Sequence, residues 1–130
     1  MAEPDGTPYA IPISYEIMGN AVYIHCAKEG RKIKTLATGP AVCFSCVGAT
    51  LPVFDGTFST YYESVIVFGT VREVTDEKEK RDALIALCKK YLPQDMDKAD
   101  DALQKSWDRT AVYAISIDHI TGKAKRQKIS

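Results

Sequence analysis

The chain has 130 residues, 45% hydrophobic and 26% charged, with 17 Lys+Arg balanced by 17 Asp+Glu. That composition fits one soluble globular domain, 1–130, with a single core. Zero net charge argues against nucleic-acid binding through a global basic field, and no apolar run approaches the ~20 residues that span a bilayer.

The polar start, Met1–Thr7, carries no secretory pattern. A cytoplasmic protein with no membrane partner and four reduced cysteines is the expectation. Pro4–Pro8 reads as a turn with Asp5-Gly6 at its tip. Tyr9–Ile17 reads as a strand, Gly19-Asn20 as a tight turn and Ala21–Cys26 as the second strand of a hairpin. Gly30–Thr38 reads as a short helix with Ile33 and Leu36-Ala37 on one face, stopped by Gly39-Pro40.

Ala41–Val47 is expected to be a strand, Gly48–Ser59 a long loop, and Tyr62–Val74 a long strand with a bulge or bend at Gly69. Its apolar run V-I-V-F-G is read as packing on both sides, part core and part interface. Asp76 and Glu79 resemble a capping box, opening a helix with Ala83, Leu84, Leu87, Cys88 and Tyr91 at helical spacing. Pro93 ends it, and Met96–Ser106 is a second helical stretch. Thr110–Asp118 is a strand, Thr121-Gly122 a turn, and Lys123–Lys128 an exposed basic tail. Strands that do not alternate regularly with helices disfavour a parallel sheet. The expected fold is mainly β: an antiparallel, Greek-key-like barrel with appended helices.

Several chemistries have nothing to stand on. There is no G-x-G-x-x-G, no Walker A loop and no G-x-S-x-G elbow, and only His25 and His119 are available as histidine bases. Cys43-Phe44-Ser45-Cys46 is nominally C-x-x-C, but on a strand residues three apart point to opposite faces. Buried structural cysteines and no metal site are the expectation.

One stretch breaks a local rule. Lys28, Arg31, Lys32 and Lys34 crowd the start of the short helix, where the helix dipole is already positive. An anion, phosphate above all, would resolve the conflict, with Gly30 letting the backbone come close. A solvated basic face is the alternative.

The runs P-Y-A-I-P-I-S-Y, V-Y-I-H-C-A-K-E-G-R-K, G-P-A-V-C-F-S-C, Y-Y-E-S-V-I-V-F-G-T-V-R-E-V and I-D-H-I-T-G-K follow one another in order. Together they resemble the pyridoxamine 5′-phosphate oxidase-like FMN-binding superfamily, and within it the nitroimidazole-resistance (Nim-type) branch. The resemblance implies a split β-barrel, FMN as cofactor, and a homodimer with FMN at its interface. Carried over by position, Pro12, Ile13, Ser14 and Tyr15 would run along the isoalloxazine edge. His25, Cys26 and Ala27 would follow the ribityl chain and flavin. Gly30, Arg31 and Lys32 would hold the phosphate, and Tyr62, Glu63 and Ser64 would open the strand that reaches the cofactor. Two departures stand out. Relatives have a helix and a fuller first strand before the P-Y motif, which suggests a shortened start here. Many have Ser, Thr or Gly where this chain has Cys26.

Trp107 would stack near the flavin or substrate, or else anchor the core before the last strand. His119 reads as a turn residue. Tyr61 and Tyr62 would line the substrate side or cap the barrel. The function expected is an FMN-dependent oxidoreductase acting on a small molecule, with nitro-group reduction implied by the branch. The alternative is a non-catalytic flavin- or haem-binding split barrel in which His25 takes part. Pyridoxamine phosphate oxidation would need a second phosphate site, and only the basic C-terminal tail offers extra cations.

Overall fold

The computed structural model describes residues 1–127. Pro4-Asp5-Gly6-Thr7 turns as expected: Gly6 takes φ 86°, and the Asp5 carboxylate accepts from the Thr7 N–H at 2.9 Å. The turn closes a miniature hairpin in which Ala2 bridges Pro8. The expected strand Tyr9–Ile17 shortens to β1 (Tyr15–Met18). Pro8 and Pro12 lack the N–H that a ladder needs, so residues 9–14 stay irregular. β1 pairs antiparallel with β2 (Ala21–Ala27) through the Gly19-Asn20 turn, and α1 (Arg31–Leu36) follows.

The expected loop over 48–59 is instead the end of a long hairpin. β3 (Ala41–Phe54) pairs with β4 (Phe58–Glu73) almost throughout, interrupted by an irregularity between Val47 and Thr50. Of the turn-forming residues there, only Asp55-Gly56-Thr57 turns the chain. Gly56 has φ 93°, and Asp55 accepts from the Tyr61 hydroxyl at 2.9 Å. Pro52 is tolerated because β3 is an edge strand, whose outer side needs no donor.

α2 (Glu77–Tyr91), a 3-10 turn over Pro93–Lys98 and α3 (Ala99–Ser106) form a helical layer. The capping box does not form: the Asp76 side chain caps nothing. Glu79 is drawn to the sheet instead, where it accepts from the Tyr23 hydroxyl at 2.7 Å and from Arg72 at 2.5 Å. Pro93 ends α2 and opens the 3-10 turn.

β5 (Thr110–Ser116) and β6 (His119–Lys125) complete the sheet. The expected turn at Thr121-Gly122 is overturned, and Lys123–Lys125, exposed as expected, belong to a strand and not to a free tail. The chain bends earlier, at Ile117-Asp118, and β6 runs along β4 from Phe68 to Tyr62. A ladder partner overrides the solvated-tail reading of the basic run, because its backbone groups complete an otherwise open edge. Lys128 lies outside the described residues.

The strand order is β1-β2-β5-β4-β3, with β6 beside β4. β5 and β6 thus form one bent strand that serves β4 along its length, while β5 also carries β2. Gly69 sits at the bend. Its register with β3 is unbroken, so it is a crossing point rather than a bulge. The two ends of the order meet through side chains: the Tyr15 and Phe44 rings are 4.8 Å apart, edge to face. This is a split β-barrel with appended helices. One core fills the barrel, around Val22, Ile24, Leu36, Val71 and Tyr113. A second joins the sheet to the helices, around Tyr23, Ala83, Leu84, Leu103 and Val112.

A Cβ at Gly69 would lie 1.7 Å from the Ser116 carbonyl oxygen, whereas one at Gly122 meets nothing closer than 3.8 Å. Because the obstacle is backbone, G69A is expected to cost about 3 kcal/mol or more, and G122A no more than about 0.5 kcal/mol. Urea midpoints of the two variants check this.

Candidate functional site

An apolar cavity of about 400 Å³ opens at one end of the barrel. One wall is the segment from Tyr9 to Tyr15, the other is β3 from Val42 to Val47, and Ile24, Leu36 and Ile115 form the floor. Val42, Phe44 and Cys46 alternate with Cys43, Ser45 and Val47, so β3 turns one face inward. Cys43 is exposed and Cys46 half-buried; the cysteine pair lies on opposite faces as expected, but Cys43 is not a buried structural thiol. Among the described residues no group of His, Cys, Asp and Glu could hold a metal.

Inside the cavity the Tyr15 hydroxyl and Cys46 Sγ are 3.0 Å apart. That hydrogen bond, together with burial, pushes the Tyr15 phenol up to about 12, so it stays neutral and able to donate at physiological pH. α2 fixes Tyr15 from behind. Lys90 Nζ and the Tyr91 hydroxyl donate to the Tyr15 carbonyl at 2.8 and 3.1 Å, and the Tyr15 N–H donates to the Tyr91 hydroxyl at 3.0 Å. Among the described residues, positions 10–14 make no backbone–backbone hydrogen bond. Ala10, Ile11, Pro12 and Ile13 belong to the cavity wall and Ser14 does not; Pro12 has a carbonyl but no N–H to offer.

Of the cationic stretch, Arg31 reaches this wall. The Arg31 guanidinium stacks 4.7 Å from the centre of the Tyr9 ring. It is also held by Glu3, through Nε to Oε1 at 2.7 Å and Nη2 to Oε2 at 2.8 Å. The guanidinium beside it holds the Glu3 carboxyl below the usual carboxylate range. Lys28, Lys32 and Lys34 enter no ion pair among the described residues. Gly30 takes φ 115°, with open space where a Cβ would be. Its requirement is therefore conformational and not steric.

The other expected site residues divide by face. Cys26 points into the barrel core, where burial pushes its thiol up. His25, its neighbour on β2, points out of the core and is exposed, and Ala27 is exposed at the strand's end. Partial desolvation and the Lys32 ammonium push the His25 imidazole below its ordinary value. Ser64 pairs with Val47 and Tyr62 with Thr50, just beyond the cavity. Glu63, on the other face, is paired with Arg126 at 2.7 Å.

Trp107 is not brought to the cavity. It packs into the core between sheet and helices, with Lys80 Nζ 4.3 Å above its ring and donating to its carbonyl at 2.9 Å. The 3-10 turn that follows α3 commits it to the helical layer, so within one subunit it is a core anchor. Sequence reasoning missed Val42, Phe44 and Cys46 as cavity wall, and Glu3 and Tyr9 as partners of Arg31. The two-residue alternation along β3 was a sufficient signal for the first group; the second needed the fold.

The pattern of one family, described as pyridoxamine 5′-phosphate oxidase, matches residues 2–124. The chain belongs to the pyridoxamine 5′-phosphate oxidase family. No curated protein matches it. Among solved structures it is similar to a proposed 5-nitroimidazole antibiotic resistance protein from Bacteroides thetaiotaomicron, at 26% identity and a TM-score of 0.76, covering 93% of this chain and 71% of that one. It shares its fold with the conserved hypothetical protein Rv2991 of Mycobacterium tuberculosis, at 12% identity and a TM-score of 0.78, over 99% and 80% of the two chains. It also shares it with an FAD and heme binding protein of Mycobacterium smegmatis, at 24% identity and a TM-score of 0.73, covering 97% of this chain but 63% of that one. Among the described residues no helix of this family member is long and apolar enough to cross a membrane.

The His25 environment has a measurable consequence. Its imidazole should titrate below 6.5 in the folded protein, and K32A should move it upward, read from the His25 ring resonance by NMR. The unfolded chain takes up that proton first, so His25 contributes a loss of stability as pH falls below about 6.5 and no penalty above it.

Proposed function

We propose that this pyridoxamine 5′-phosphate oxidase family protein is an FMN-dependent oxidoreductase, a homodimer that reduces small molecules, nitroaromatics among them. The observation that carries the reading is the cavity wall at positions 10–13. It has backbone groups free of backbone partners beside an apolar floor, and Arg31 stacks on the adjoining Tyr9. A flat heteroaromatic ring with polar edges and a phosphate tail fits that combination. The nitroaromatic substrate class draws on the resistance protein of Bacteroides thetaiotaomicron.

FMN, when bound, supplies hydride and electron transfer. The protein's part is to bind and orient. The free amides of Ala10, Ile11 and Ile13 would meet the ring edge, and Tyr15, held neutral, would donate a hydrogen bond within the cavity. Lys32 and Arg31 would meet the phosphate, and the apolar floor would exclude water. No protein base is required, and among the described residues neither His25 nor His119 enters an ion pair with a carboxylate.

The dimer rests on a surface argument. The helices cover the outer side of β2 and β5. Among the described residues no helix covers the outer face of β3, β4 and β6, where Val47 and Phe68 are 65% and 45% exposed. A second copy over that face would bury it and enlarge the cleft at the barrel mouth.

Titration of apo-protein with FMN and with riboflavin tests the site, and equal affinities would refute the phosphate assignment. K32A removes a charge-assisted bond worth ~1.5–3 kcal/mol, a loss of roughly ten- to hundredfold in FMN affinity, while K34A should do less. Light scattering across a dilution series, with and without FMN, tests the dimer: a monomer that keeps stoichiometric flavin sinks it. Reduced flavin that an anaerobic nitroimidazole fails to reoxidise would favour a non-catalytic flavin carrier.

A further inference from the structure

The four thiols have different surroundings. Cys26 is buried in the barrel core, and Cys88 packs against the core between sheet and helices. Cys43 borders the cavity, but alternation along β3 turns its side chain to the outer face, where it is exposed. Cys46 is half-buried on the inward face, and its Sγ lies 3.0 Å from the Tyr15 hydroxyl. The phenol is fixed there. Its ring meets Phe44 edge to face at 4.8 Å and has Lys90 Nζ 3.6 Å from its centre, while α2 holds its backbone. Around this pair the wall is neutral: among the described residues no Asp, Glu, Lys, Arg or His side chain lines the cavity. The Met1 ammonium at its edge is already bonded to the Tyr9 carbonyl at 3.0 Å.

We propose that the cavity is a covalent capture site for small, neutral α,β-unsaturated carbonyl compounds, with Cys46 as the nucleophile and Tyr15 as the donor to the carbonyl oxygen. The cavity is the one read above as the flavin's, but the addition needs no flavin. A hydroxyl and a sulfur set side by side match the two ends of a conjugated carbonyl. The Tyr15 O–H, which keeps its proton at physiological pH, turns from the sulfur to the carbonyl oxygen and draws electrons out of the double bond. The Cys46 sulfur attacks the far carbon of that bond. One C–S bond forms and the S–H bond breaks. The electron pair of the C=C bond moves onto the carbonyl oxygen as an enolate, which the Tyr15 hydroxyl stabilises. The thiol proton, released to water, returns to the carbon next to the carbonyl, so no group leaves and no oxidant or reductant is consumed. The wall sets the selectivity. At about 400 Å³ it has room for a monocyclic enone, and a charged reagent would lose its water there with no opposite charge to meet it.

The test treats the full chain, as apo-protein, with cyclohexenone as the neutral enone and iodoacetate as an anionic alkylating agent. Fragment mass spectrometry follows the adduct at each cysteine over time, with exposed Cys43 as the internal reference. The enone should modify Cys46 roughly fivefold faster than Cys43. Its rate at Cys46 should saturate as the enone concentration rises, while the rate at Cys43 rises in proportion. Cyclohexanone, which fits the cavity and cannot add, should slow the reaction at Cys46 alone. Iodoacetate should reverse the preference and favour Cys43. Y15F keeps the ring against Phe44 and should lose about tenfold or more of the enone rate at Cys46, with Cys43 unchanged. The proposal falls if the enone modifies Cys43 first, or if the rate at Cys46 never saturates and cyclohexanone leaves it unchanged. It falls equally if Y15F reacts at Cys46 as fast as wild type. Saturation and competition are read on the wild-type chain, so they decide the matter even where Y15F does not fold.

Discussion

At Gly69 the backbone of β4 passes the Ser116 carbonyl so closely that a Cβ would overlap it at 1.7 Å. The rest of the structure depends on that approach. It lets a single strand, β4, exchange one partner for another along the same edge: β6 up to Phe68, β5 from Val71 onward. The bend at Ile117-Asp118 is the matching feature on the other side, secured by the Asp118 N–H on the Phe68 carbonyl at 3.0 Å. Without the handover β5 could not reach β2, and the sheet would remain a flat hairpin with long unpaired edges. With it, the sheet wraps far enough for Tyr15 on one end to touch Phe44 on the other.

That closure by side chains, with no ladder between β1 and β3, is also what leaves a cavity. A ladder there would bring the backbones to within about 5 Å and remove the space. The aromatic pair keeps the walls apart, and residues 9–13, interrupted by Pro12, line the gap with groups that no strand has claimed. The same irregularity that ends the sheet supplies the polar edge of the site.

Charge follows a similar logic. The cations around α1 are unfavourable beside a helix start, and among the described residues the fold pairs only Arg31, by bringing Glu3 to it across 28 residues. Exposed ion pairs contribute little on their own, about 0–1 kcal/mol. The pair matters here for where it stands, between the N-terminal hairpin and the cavity, more than for its strength.

How much of this was legible in the sequence depended on the range of the interaction. The Asp5-Gly6 and Gly19-Asn20 turns, the helix periodicity of Ala83, Leu84 and Leu87, and the crowding of Lys28, Arg31 and Lys32 are local, set by φ preferences and neighbour spacing, and each could be read directly. The family followed from ordered motifs. What misled was also local: Gly48, Pro52 and Gly56 look like a loop, and Lys123 onward looks like a tail. Both became strands because a partner strand at the right distance satisfies backbone groups that composition says nothing about. Likewise Asp76 and Glu79 have the spacing of a capping box, but Arg72 on the preceding strand and Tyr23, 56 residues away in the chain, offered Glu79 stronger partners. The sequence by itself determined the Asp5-Gly6 and Gly19-Asn20 turns, the helices and the crowding of the cations before α1. Only the tertiary structure decided which strands pair, that Trp107 faces the helices, and that Glu3 rather than solvent holds Arg31, because each of these depends on chain segments whose meeting no local preference specifies.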